Sequence, residues 1–147
     1  MKVVFDNRYQ TVYSSDPASA PGRMESIFEE LQGNFEFVKP KPAKEEDILL
    51  VHSQHHVNSV KAHPLVYETA LLAVGGATKA SEIAVQKEPA FGLIRPPGHH
   101  ASRDSSWGFC YFNNVAVAVE KLRVENRIKR ALIVDVDLHY GDGTANL

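Results

Sequence analysis

A three-layer αβα fold built on a largely parallel sheet is predicted by two features of this sequence. Short apolar, β-branched runs alternate along the chain with stretches of helical periodicity. The chemically dense segments directly follow two of the apolar runs, after Ile94 and after Val134. In open parallel sheets ligands sit at the carboxyl ends of the strands, so both segments fall where a site belongs. The 147 residues suffice for one domain, and a single domain over residues 1–147 is expected.

Lys2–Phe5 is short and β-branched, a first strand. A polar stretch, Asn7–Ser19, carries turn formers at Asp6-Asn7 and Asp16-Pro17. Pro21 suits a first helical turn, Met24, Ile27, Phe28 and Leu31 recur at helical spacing, and Gly33 ends the helix. Phe35–Val38 reads as a second strand. Ile48–Val51 is apolar, and Ser53 can cap a helix carrying Val57 and Val60. Pro64 opens a longer helix to about Val85, whose Gly75-Gly76-Ala77 step weakens it locally but permits close packing. Phe91–Ile94 reads as a buried strand, Val115–Leu122 as a helix, and Ala131–Val136 as a central parallel strand covered on both faces.

Composition narrows the function classes. Hydrophobic residues make up 44% and charged residues 23%, ordinary for a globular domain. A net charge of -2 offers no basic field for nucleic acid. The longest apolar runs are too short for a membrane span, and the turn to polar residues at Asp6 argues against a secretory leader. The single cysteine, Cys110, precludes an intrachain disulfide and suits a reducing, cytoplasmic setting.

Asp135-Val136-Asp137-Leu138-His139 alternates polar and apolar residues. In an extended chain Asp135, Asp137 and His139 would project to one side, with the carboxylates about 6.5 Å apart. Buried there, they would repel unless a cation lay between them. Oxygen ligands with an imidazole suit zinc, and iron(II) or manganese would also be accepted. Acids that merely cap a helix are the plainer alternative. An apolar run followed by Asp-x-Asp is also similar to the nucleophile loop of haloacid-dehalogenase-type phosphatases. His139 stands where that loop usually has Thr or Val, which favours metal ligation.

Arg95-Pro96-Pro97-Gly98-His99-His100-Ala101 is the most informative run. Two prolines and a glycine make a turn that can present adjacent imidazoles. Two histidines with different carboxylate partners can divide proton removal from a water and proton delivery to a leaving amine. His55, His56 and His63 are expected to lie on a polar helix face and at its end, without a role. In Gly108-Phe109-Cys110-Tyr111-Phe112-Asn113-Asn114, Phe109 is a candidate for the wall of a narrow apolar pocket. Tyr111 and Phe112 are expected to be core, and nothing in the sequence lowers the pKa of Cys110.

Together Pro21–Ser26, Val51–Ser53, Arg95–Ala101, Gly108–Asn114 and Asp135–Thr144 closely resemble the histone deacetylase and acetylpolyamine amidohydrolase superfamily, in that family's order. The resemblance implies an arginase/deacetylase-like fold, truncated here, with Met1 at the family's first strand. It implies zinc-dependent removal of acetyl groups from acetyl-lysine or acetylpolyamine-type amines. By position, Asp137 and His139 resemble two of three zinc ligands. His99 resembles the buried histidine paired with Asp135, and His100 the general base paired with Asp142. Asp135, with Asp137 and His139, resembles part of a structural potassium site. Gly108 and Phe109 resemble the tunnel that grips the acyl chain, and Arg23 an arginine near an inner acetate channel. The family's third metal ligand, a later aspartate, and its carbonyl-polarising tyrosine fall outside these residues. An inactive fragment, or a split half needing a partner chain, is therefore the alternative. The family's sheet sets its fourth strand apart from the first three by two later strands. Phe91–Ile94 and Ala131–Val136 are thus expected either to pair directly or to drive homo-oligomerisation.

Overall fold

The computed structural model describes residues Met1–Leu147. Strand β1 (Lys2–Val4) lies at the centre of a three-stranded parallel sheet. Its neighbours are β2 (Glu36–Val38) and β3 (Ala90–Gly92), with Val3 opposite Phe37 on one side and Phe91 on the other. The order β2-β1-β3 puts the first strand in the middle, and Val3 and Val4 are wholly buried there. Parallel neighbours need crossovers. Helix α1 (Arg23–Leu31) supplies the first, before β2. Three helices intervene between β2 and β3: α2 (Glu45–Ile48), α3 (Gln54–Lys61) and α4 (Pro64–Ala84). Beyond β3 come α5 (Asn114–Val124) and a single turn, α6 (Asp142–Ala145). No helix is long and apolar enough to cross a membrane.

Helix α4 organises the interior. Leu72 and Ala73 join Val3, Phe5, Tyr9, Met24 and Leu93 in one core cluster. Ala70 and Val74 join Ile48, Val57, Phe112 and Val117 in another. A helix that packs on two sides has little room for a polar stripe, which explains its nearly all-apolar middle. Its Gly75-Gly76 step lies where two segments press closest. A Cβ on Gly75 would overlap the Lys41 carbonyl, and one on Gly76 would come within 2.5 Å of the Tyr9 hydroxyl. That hydroxyl donates to the Leu72 carbonyl at 2.8 Å.

Two elements depart from the expectation. Ala131–Val136 forms no strand, and none of residues 128–139 makes a backbone–backbone hydrogen bond. Leu132, Val134, Val136 and Leu138 are 88%, 73%, 91% and 95% exposed. The direct pairing of this segment with Phe91–Ile94 therefore does not occur: β3 pairs only with β1. Its apolar residues favour a strand, but a strand needs a neighbour to satisfy its amides, and none reaches it. Phe91, expected inside, is 43% exposed, and β3 forms an outer edge of the sheet.

Candidate active site

The loop after β3 is anchored before it reaches the histidines. Arg95 is buried, and its guanidinium donates to the carbonyls of Tyr9, Ala20 and Thr11 at 2.9, 3.3 and 3.4 Å. Past Pro96-Pro97-Gly98, His99 and His100 stand side by side with ring centroids 4.1 Å apart. A side chain on Gly98 would collide with the backbone of Phe112–Asn114, so glycine lets this turn lie against the start of α5.

Each histidine has its own carboxylate. His99 Nδ1 meets Asp135 Oδ2 at 2.9 Å, and His100 Nδ1 meets Asp142 Oδ1 at 2.5 Å. An ionised carboxylate only accepts, so a proton sits on Nδ1 in both rings, and the neutral form of each ring carries its lone pair on Nε2. Asp135 is held below the usual carboxylate range by the Asp137 amide and then by His99. Asp142 is lowered chiefly by its bond to His100, then by the indole N–H of Trp107. Trp107 also stacks on the His100 ring, centroids 3.8 Å apart, while Nε1 donates to Asp142 Oδ2 at 2.9 Å. His100 is thus buried, with Trp107 stacked on its ring and His99 tilted beside it.

The Asp135–His139 segment comes near the same place, but not as an extended strand. Asp135 Oδ1 accepts from the Asp137 amide at 3.0 Å, and Asp137 Oδ1 from the His139 amide at 2.8 Å. These are two successive Asx turns, in which short acidic side chains bond the backbone two residues on. Asp137 Oδ1 lies 3.1 Å from His139 Nδ1 and 4.0 Å from His99 Nε2. The His139 amide bond, first, and its ring hold the Asp137 carboxyl low. Gly141 is needed here, because a Cβ would press on both Asp135 and His99.

A carboxylate oxygen and an imidazole nitrogen are the donor types zinc takes. Asp137 and His139 therefore fit that metal in kind, but no group of three or more His, Cys, Asp or Glu side chains is arranged to hold one. Two donors fall short of the three that zinc catalytic sites require.

The remaining expected residues are placed differently. Gly108 adopts φ +58°, with the space of its missing Cβ 2.6 Å from the His100 ring. Phe109, also left-handed at φ +62°, is buried against Tyr13 and Tyr111 rather than lining an open wall. Arg23 is exposed on the first turn of α1 and forms no hydrogen bond or ion pair with this cluster. Cys110 is buried, which pushes its thiol up to about 11. His56, expected on a polar face, is buried and bonds the Tyr111 carbonyl at 2.7 Å. Sequence reasoning missed Trp107, whose bond to Asp142 joins residues 35 apart in the chain.

An α/β domain with two His–Asp pairs and a carboxylate–imidazole donor pair beyond the third strand is the class that fold and site define. The histone deacetylase domain family matches residues 62–147. A protein named "Probable deacetylase" from Methanothermobacter thermautotrophicus is 39% identical over 126 residues, covering 76% of this chain and 38% of that one. The polyamine deacetylase HDAC10 of Danio rerio is 31% identical over 175 residues, covering 96% of this chain and 26% of its own length. The crystal structure of the HDA15 HD domain superposes with TM-score 0.88 at 26% identity, over 99% of this chain and 50% of that one. The chain belongs to the histone deacetylase family. It spans less than half the length of these curated relatives, and the family match replaces the phosphatase alternative.

Proposed function

We propose that this chain carries the histidine half of a metal-dependent amidohydrolase site that removes acetyl groups from acetyl-lysine or acetylpolyamine-type amines. The observation that carries this reading is the pair of adjacent imidazoles, each tied through Nδ1 to its own carboxylate.

His100 Nε2 is the proton acceptor toward an attacking water. Asp142 holds the ring in the tautomer that leaves Nε2 bare and stabilises the imidazolium once it forms. Trp107 fixes Asp142 through its indole N–H and covers one face of His100. His99, backed by Asp135, lies close enough to share the proton's return to the leaving amine. Asp137 and His139 would hold zinc, with iron(II) as a substitute, and Asp135 would join a potassium site. A bound zinc would supply Lewis acidity toward the scissile carbonyl and the water. Gly108 and Phe109 would flank the acyl chain and Arg23 the acetate product. A reducing, cytoplasmic setting accords with the lone, buried Cys110.

A second reading, a half that works only with a partner chain or a second copy, is favoured by the unpaired and exposed 131–138 segment. Turnover of an acetyl-lysine peptide, N-acetylated polyamines and a phosphate ester tests both. The chain would be assayed with zinc, alone and with the carboxyl-terminal half of the Methanothermobacter relative. Acetate release only in the combined sample supports the second reading. Phosphate release, or no acetate in either sample, would overturn the proposed function.

A further inference from the structure

We infer that His52, outside both His–Asp pairs, is a positioning residue: its neutral ring ties together the two legs of the loop that carries His99 and His100. The inference deepens the reading of His100 as the base and rests on it.

His52 sits just before α3 and is 1% exposed. Its Nδ1–H donates to the Ser102 carbonyl at 2.8 Å, two residues past His100. Its Nε2 accepts the Asn113 amide at 2.9 Å, where the loop turns into α5. One ring thus offers a donor to the outgoing leg and an acceptor to the returning leg, which only the neutral Nδ1–H tautomer can do. Ser53 reinforces the first tie through its amide to the Arg103 carbonyl at 3.0 Å, and His56 the second through Tyr111.

Asn113 passes this constraint onward. Its side-chain amide donates to the Ala101 carbonyl at 3.1 Å and to the Thr144 hydroxyl at 3.0 Å. Thr144 belongs to α6, the turn that begins with Asp142, and its own amide donates to the His99 carbonyl at 3.0 Å. A Cβ on Gly143 would overlap the Ala101 amide, so α6 lies directly on the backbone after His100. The His52–Asn113 bond therefore sets the distance between His100 and Asp142 without touching either. Buried polar atoms with two satisfied bonds specify geometry in this way, because losing one leaves a partner unpaired.

Three variants separate the two ties. His52→Gln keeps an acceptor for Asn113, His52→Asn keeps a donor for Ser102, and His52→Phe keeps the shape with neither. The readout is the Nδ1 proton of His100 in the nitrogen-15-labelled chain, a resonance that exists only while the bond to Asp142 shields it. Wild type should show it. In His52→Gln, His52→Asn and His52→Phe it should exchange about tenfold faster or broaden away, the loss expected for one buried hydrogen bond, while the amides of Val3 and Val4 stay unchanged. A wild-type resonance in His52→Phe, or in either single-tie variant, overturns the inference. If His52→Phe does not fold, the Gln and Asn variants still decide. The measurement reads a ring proton, so its failure is distinct from a failure of the amidohydrolase reading.

Discussion

Gly108→Ala isolates the packing that holds His100. Gly108 sits at φ +58°, and a methyl built there would lie 2.6 Å from His100 Cδ2. Ordinary carbon–carbon contact needs about 3.5–4.0 Å, so the ring must retreat by roughly 1 Å. Its neighbours are close: the ring centroids of His99 and Trp107 lie 4.1 and 3.8 Å from that of His100, and Asp142 holds Nδ1 at 2.5 Å. The substitution therefore adds about 1–3 kcal/mol of overpacking to the roughly 1–2 kcal/mol for placing an alanine in left-handed backbone. Gly33→Ala is the control, since Gly33 has φ +85° and open space at its Cβ. Urea unfolding should show Gly108→Ala losing about 1–3 kcal/mol more stability than Gly33→Ala. In the assembled enzyme a 1 Å displacement of the base should lower kcat about a hundredfold. Equal stability losses in the two variants would refute the argument that Gly108 exists to admit the His100 ring.

Acid should weaken the fold in a window set by His52. Burial drops its pKa to about 4 from an ordinary value of 6.5, so the unfolded chain binds a proton there before the folded chain does. Its contribution is present above about pH 6.5, is lost as pH falls toward 4, and amounts to a few kcal/mol at most; His52→Gln should flatten that limb of a stability–pH curve. Hydrogen exchange should find Leu132, Ile133 and Val134 unprotected in the monomer, with protection appearing only when a partner strand binds; protection in a monomer proven by light scattering would contradict the unpaired segment. Metal analysis after dialysis should find zinc far below one equivalent on the chain alone, since Asp137 and His139 are two donors; stoichiometric retained zinc would show a third ligand that the structure does not contain.

Most of the scaffold was legible because its signals are local. The β-branched start became β1; of Met24, Ile27, Phe28 and Leu31 at helical spacing, all but Ile27, which is 44% exposed, became the inner face of α1; and Ser53 caps α3 by accepting from the His56 amide. The glycine step in α4 was read as close packing and meets Lys41 and Tyr9. Ala131–Val136 failed for the opposite reason. Its pattern encodes a preference for a sheet interior, but strand formation depends on neighbours that local sequence does not specify.

The site divides in the same way. The spacing of Asp135, Asp137 and His139 points to three ligand-type residues on one side of an extended chain, but that geometry gives way to Asx turns, because each aspartate bonds the backbone two residues on. Trp107, His56 and His52 were not legible as site residues. Their partners, Asp142, Tyr111, Ser102 and Asn113, become neighbours only after the loop folds back on α3 and α5.

The most direct test of the central claim is acetate release from an acetyl-lysine peptide or an N-acetylpolyamine. The zinc-supplied assembly of this chain with the carboxyl-terminal half of the Methanothermobacter relative would be compared with the same assembly carrying His100→Ala or Asp137→Ala. Turnover is expected in the unaltered assembly, with its loss in both variants while folding and assembly stay intact. Undiminished turnover in either variant would contradict the assignment of His100 as base or Asp137 as metal ligand.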